Sequence, residues 1–156
     1  MDTSFVVMDY EIMMFLGVQV LQNKVRINTT DTFLPTLLQN TLAETRILHI
    51  RVLTEVFLSG GRSDDIKIEQ LLPEWHKQNT VILKELDGAY KTPLPETGES
   101  PKTHIDKLLA HATVKRGASF NWTPVIERME PPLRNILKAL PVSQFQSLAL
   151  LQHNSP

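Results

Sequence analysis

Apolar residues recur at helical spacing through most of this chain, and the width of each apolar face separates its elements. Asp2 to about Asn23, "DTSFVVMDYEIMMFLGVQVLQN", is apolar on most sides. Such an element reads as a helix covered by several neighbours or by a second subunit. A polar connection, "RINTTDT", follows, with Thr30 or Asp31 placed to cap the next helix. That helix, Thr32 to Ser59, carries the longest pattern and is read as the central one. Stepping about 100° per residue sets Leu34, Leu38, Leu42, Thr45, Leu48, Val52 and Val56 on one face, widened by Ile50, Leu53 and Phe57. Pro35 fits its first turn, and the paired glycines of "SGGRSDD" supply the left-handed backbone of a helix stop.

Beyond the stop, "RSDDIKIEQLLPEW" is a compact connection whose Ile66, Ile68, Leu71 and Leu72 dock on the core and whose Trp75 closes its edge. A third helix is expected from Glu74 to Ala89, with Val81, Ile82 and Leu86 inward. "YKTPLPETGESPKT", with three prolines and a glycine, is expected to be a flexible loop over about residues 90–102. A fourth helix, Thr103 to about Arg116, turns Ile105, Leu108, Leu109 and Ala112 inward. Thr123 and Pro124 open a last segment in which Pro131 and Pro132 predict a kink or a split into two short helices. Pro141 stops it, and the remainder is expected to form a turn or two before a frayed end. With no repeat, heptad run or period-two strand, the chain reads as all-α: one domain over residues 1–156, a mainly antiparallel bundle of about five or six helices.

Charge narrows the partners. With 16 Lys+Arg against 17 Asp+Glu, the formal net charge is -1, so no general attraction draws the chain to a phosphate backbone or an acidic membrane. The absence of cysteine removes disulfides, thiolate zinc sites and cysteine nucleophiles, and a reducing cytoplasm fits best. The apolar start could suggest a signal peptide or a span, but Asp9 and Glu11 sit inside it, no basic stretch precedes it and no cleavage pattern follows. A packed helix is expected, without membrane insertion. "NTT" and "NWT" match a glycosylation pattern that short sequences reach by chance.

The polar residues on apolar faces need mates. His49 falls between Leu42 and Val56 on the central helix, and Arg46 lies on its flank. Because a guanidinium keeps its charge, Arg46 must reach a carboxylate, a carbonyl or solvent. Asp64, Asp65 and Asp106 are the candidate partners, with Asp106 favoured. Arg51 points the other way and can pair with a carboxylate at helix spacing. Five histidines invite a metal reading, but His104 and His111 are two turns apart and no Glu-x-x-His pattern occurs, so no metal and no cofactor is expected. "SDD" at Ser63 to Asp65 is an acid/base pair or, more simply, a capped loop. Neither G-x-S-x-G nor a phosphate loop is present. "HATVKR" sets His111 and Arg116 at one helix end, where they could converge on an anion.

Four motifs taken together carry a resemblance. "HIRVLTEVF", "DDIKIEQLLPEW" and "IDKLLAHATVKR", with the downstream Trp122, resemble a group of uncharacterised bacterial all-α proteins having H-x-R-x-L, a D-D loop reaching P-x-W, and L-A-H-x-T-x-x-R. The resemblance covers roughly Leu38 to Leu140 and implies a shared helical fold, with His49, Arg51, Asp64, Asp65, Trp75, His111 and Arg116 as the matching positions. Pro131 and Pro132 depart from the unbroken final helix it implies. A fainter resemblance to HEPN-type bundles concerns architecture, since those carry arginine before histidine and "HATVKR" runs in the opposite order.

Two functional expectations follow. The first is a small, non-catalytic interaction or regulatory module that forms a homo-oligomer or meets a protein partner through its apolar first helix. The second is a phosphodiester-directed enzyme or RNA binder with His49, His111, Arg46 and Arg116 around one cleft.

Overall fold

A computed structural model describes residues 2–26, 28–61, 65–110 and 121–154. Among them the chain is all-α: α1 (Thr3–Lys24), α2 (Phe33–Phe57), α3 (Ile68–Leu71), α4 (Pro73–Gln78), α5 (Thr80–Lys91), α6 (Pro101–Ala110) and α7 (Thr123–Ala139), then a 3-10 segment (Gln146–Asn154). That is more than the expected five or six. The compact connection holds the short α3, which ends where Leu72 leaves helical geometry before Pro73 starts α4, and the expected third helix is two, because Asn79 separates α4 from α5 while its side-chain amide donates to the Trp75 carbonyl.

Helix α1 starts on Asp2, whose carboxylate accepts the Ser4 N–H at 2.9 Å. It buries Met8, Ile12, Phe15, Leu16 and Val18 against α2 and the 3-10 segment. Contacts between α1 and α2 join Glu11 to His49 and Gln22 to Arg46. The two chain directions therefore oppose, as in an antiparallel hairpin.

The buried face of α2 keeps Leu42, Ile50, Leu53, Val56 and Phe57 of the expected face but not its other leucines. Ile47, Ile50, Leu53, Thr54 and Phe57 form its centre, whereas Leu34 and Leu48 are exposed. Leucine spacing alone could not tell which of two apolar sides meets neighbours. Nor do the paired glycines make the stop alone: Ser59 adopts the left-handed conformation (φ 54), and the Gly60 N–H reaches back to the Glu55 carbonyl. Gly61 is also left-handed, and a side chain there would collide with the Asp65 carboxylate.

Trp75 closes an edge as expected. Its ring packs 6.3 Å from Phe57, and its indole N–H donates to the Ala139 carbonyl at 2.7 Å, tying α4 to the end of α7. In α5, Leu83, Leu86 and Tyr90 turn inward and Val81 turns out.

Helix α7 runs as one helix through Pro131 and Pro132, so the expected split into two short helices does not occur. Proline removes one N–H and crowds the carbonyl four residues earlier. Those carbonyls belong to Glu127 and Arg128, on the partly exposed side, while Met129, Leu133, Ile136 and Leu137 bury the other. Packing of that apolar face outweighs the lost bonds. Its N-cap position is Trp122, not Thr123, and the preceding Asn121 side chain accepts the Thr123 N–H. At the far end, Phe145 and Leu148 are buried and Phe5 packs against Phe145, so the last segment lies on α1.

The proline-rich segment of about residues 90–102 is anchored in its middle by buried Leu94, whose carbonyl accepts the Gly98 N–H at 2.8 Å and whose N–H reaches Glu99. His104 on α6 is buried beneath this turn, 2.7 Å from the Thr97 hydroxyl. Burial pushes its pKa below the ordinary 6.5, with Glu99 opposing and Lys107 adding to the shift. The unfolded chain therefore takes up a proton first, and the contribution of neutral His104, present above 6.5, is lost as pH falls. Urea unfolding should give a lower midpoint at about pH 5 than at about pH 7.5, and His104→Gln should reduce that difference.

Candidate functional site

His49 is the first residue to place. It is buried, and its Nδ1 lies 2.7 Å from the Glu11 carboxylate of α1. This is a tether between the two longest helices. Arg51 sits on the partly exposed side of α2, where its Nε donates to Glu55 at 3.0 Å and its Nη2 lies 3.6 Å from Asp106 on α6. Those carboxylates, the Glu55 hydrogen bond foremost, hold its pKa above the usual value despite partial burial. Asp106 also accepts from Lys102 at 2.5 Å. Nearby, the Tyr90 hydroxyl is buried without a hydrogen-bond partner among the described residues. Burial, reinforced by Asp106 and Glu55, pushes its pKa well up.

Arg46 does not use Asp106. Its Nη2 donates to Glu130 on α7 and its Nη1 to the Gln22 side chain on α1 at 3.0 Å. Glu130 also accepts from Gln19 at 2.5 Å and from Arg134 Nε at 2.8 Å, while Arg134 Nη2 donates to Gln19. Gln19 is buried, and Arg46, Glu130 and Arg134 are each exposed by about a fifth or less. Three helices thus share one carboxylate. Desolvation lowers the pKa of Arg46, Glu130 opposes the shift, and Arg134 adds to it.

Sequence reasoning passed over Gln19, Glu130 and Arg134. Two signals were available: a lone amide on the inner face of an apolar helix, and the i, i+4 spacing of Glu130 and Arg134. What the sequence could not show was that residues more than eighty positions apart meet.

The remaining candidates do not form a second centre among the described residues. Asp65 borders a recess of about 320 Å³ with Glu11 and Glu55, walled by Val52, Val56 and Ile66. Asp64, His111 and Arg116 lie outside the described residues. No group of three or more His, Asp or Glu side chains among the described residues is arranged to hold a metal. A polar cleft of about 490 Å³ opens over the network, lined by Gln22, Gln39, Asn40, Arg46, Trp122 and Glu130. Arg46, the arginine that lines it, is engaged with Glu130.

Among the described residues an apolar face is also left uncovered. On the side of α1 opposite Ile12, Phe15 and Gln19, Val6 is 51% exposed, Tyr10 50%, Met13 42% and Leu21 46%. With Gly17 these residues lie within about 80° of one another around the helix. A Cβ built on Gly17 meets nothing within 4 Å, so the stripe has a notch at its middle. By length and composition α1 could also cross a membrane. Its inner face is nevertheless buried, and its two carboxylates are engaged: Asp9 accepts the Ser147 N–H at 3.0 Å, and Glu11 holds His49.

Removing one member of a desolvated ion network strands the others. Glu130→Ala should cost about 3 kcal/mol in denaturant unfolding. Replacing Arg46, Glu130 and Arg134 together by apolar residues of similar volume should cost much less than the sum of the single changes, a comparison that a mutant cycle reads directly.

Comparison with known proteins finds no family model, no curated protein and no solved structure that matches this chain.

Proposed function

We propose that this chain is a non-catalytic helical interaction module that associates with a second copy of itself through the outer face of α1. One observation carries the reading. Half-exposed Val6, Tyr10, Met13 and Leu21 form a continuous stripe on a helix whose opposite side is already in the core. Val7, Met14 and Val20 flank it with uncharged side chains, and the charged flanking residue, Asp9, accepts the Ser147 N–H. A contiguous apolar surface of this kind marks an interaction site more often than scattered exposed residues do. A second copy is the occupant chosen because the stripe is complementary in charge to itself: it is neutral along its length, with Asp2 at one end and Lys24 and Arg26 at the other. Closed two-fold pairing is the commonest use of such a patch. A cysteine-free chain of nearly balanced charge fits a module working in the reducing cytoplasm.

The alternative, a phosphodiester-directed enzyme or RNA binder, would need His49 and Arg46 to face a substrate. In the fold they face Glu11 and Glu130. Their inward pairing favours the non-catalytic reading.

Light scattering over a wide concentration range tests it. The wild-type mass should rise from one chain of 17.7 kDa toward twice that value. Met13→Glu should remain at one chain with unchanged helical circular dichroism, since Met13 is exposed in the single chain. A wild-type mass of one chain at every concentration would remove the proposal.

A further inference from the structure

The outer stripe of α1 has an internal symmetry that says how two copies would meet. This inference rests on the self-association reading above and adds the direction and register of the pairing. Around a two-fold axis passing between Met13 and Met14, Val6 is as far from the axis as Leu21, and Tyr10 is as far from it as Gly17. We propose that two copies pair through antiparallel α1 helices centred on this axis, with each Tyr10 ring seated in the notch that Gly17 leaves on the other copy.

Three features favour this arrangement over a parallel one. The largest exposed side chain of the stripe is set against its only residue without a side chain, so shape is complementary where the helices cross. The open space at Gly17 is present in the single chain, where no described residue lies within 4 Å of a Cβ built there. At the ends, Asp2 of one copy meets the Lys24 to Arg26 region of the other. Opposite charges then flank the apolar centre at both ends. A parallel pair would stack Tyr10 on Tyr10, leave Gly17 facing Gly17 across a gap, and bring Lys24 against Lys24. Each of these costs packing or charge. The antiparallel register also makes the interface isologous, because each pair of contacts occurs twice.

Because the chain has no cysteine, single introduced thiols report the register without background. In the proposed pairing, the two copies of position 6 lie about 22 Å apart along the axis, beyond the ~7 Å Cα reach of a disulfide. Val6→Cys and Leu21→Cys should therefore fail to cross-link alone under mild oxidation and should cross-link when mixed. Gly17→Leu, whose Cβ meets nothing within 4 Å in the single chain, should keep the helical signal and weaken association by about tenfold or more.

A doubled mass with cross-linking of Val6→Cys to itself would overturn the antiparallel register while leaving self-association standing. A doubled mass without any cross-link between positions 6 and 21, or a Gly17→Leu chain that associates as tightly as wild type, would do the same. One-chain mass throughout would overturn both proposals. Co-sedimentation of such a monomer with phosphatidylcholine vesicles would assign the stripe to a lipid surface instead.

Discussion

A single carboxylate sets the geometry of this bundle. Glu130 on α7 takes hydrogen bonds from Arg46 on α2, from Gln19 on α1 and from Arg134 on its own helix. Ions withdrawn from water lose several kcal/mol of hydration each, and only close, well-directed partners offset the loss. The network therefore tolerates little rotation of any helix that enters it. Apolar packing would accept several rotations of α1, since that helix is hydrophobic on most sides. Gln19 and Gln22 accept only one, because their amides must reach Glu130, Arg134 and Arg46.

From that constraint follows the exposed stripe. Once Gln19 and Gln22 face α2 and α7, and Glu11 faces His49, the opposite side carrying Val6, Tyr10, Met13, Gly17 and Leu21 has nowhere to go but outward. The polar interior thus does more than hold helices together. It chooses which of the apolar sides of α1 is buried and which remains available. A core without the network could bury more apolar surface, but it would leave the helix free to turn. Polar groups kept for conformational specificity at some expense of stability are known from other helical assemblies.

Local signals and packing disagree at instructive places. Two adjacent prolines predict a break in α7, yet the helix continues because the freed carbonyls fall on its outer side and a full apolar face lies on the other. Paired glycines mark the end of α2, yet Ser59 takes the left-handed position ahead of them. Leucine spacing puts Leu34 and Leu48 on the inner face of α2, yet both are exposed and Ile47 is in the core instead. In each case the local rule describes what a residue prefers in isolation, and the neighbours it meets decide the outcome.

Read alone, the chain determines an all-α class, the extents of its two longest helices to within a residue or two, a pairing of Arg51 with a carboxylate at helix spacing and the edge position of Trp75. These depend on periodicity and on contacts a few residues apart, which sequence order encodes directly. It also identifies His49 and Arg46 as side chains that need mates. Only the tertiary structure decides who the mates are: Glu11 lies 38 positions from His49 and Glu130 lies 84 from Arg46, so nothing local distinguishes them from Asp106. The same holds for the outer face of α1, because apolar residues on every side of a helix become core or surface only when neighbouring helices arrive and choose a side.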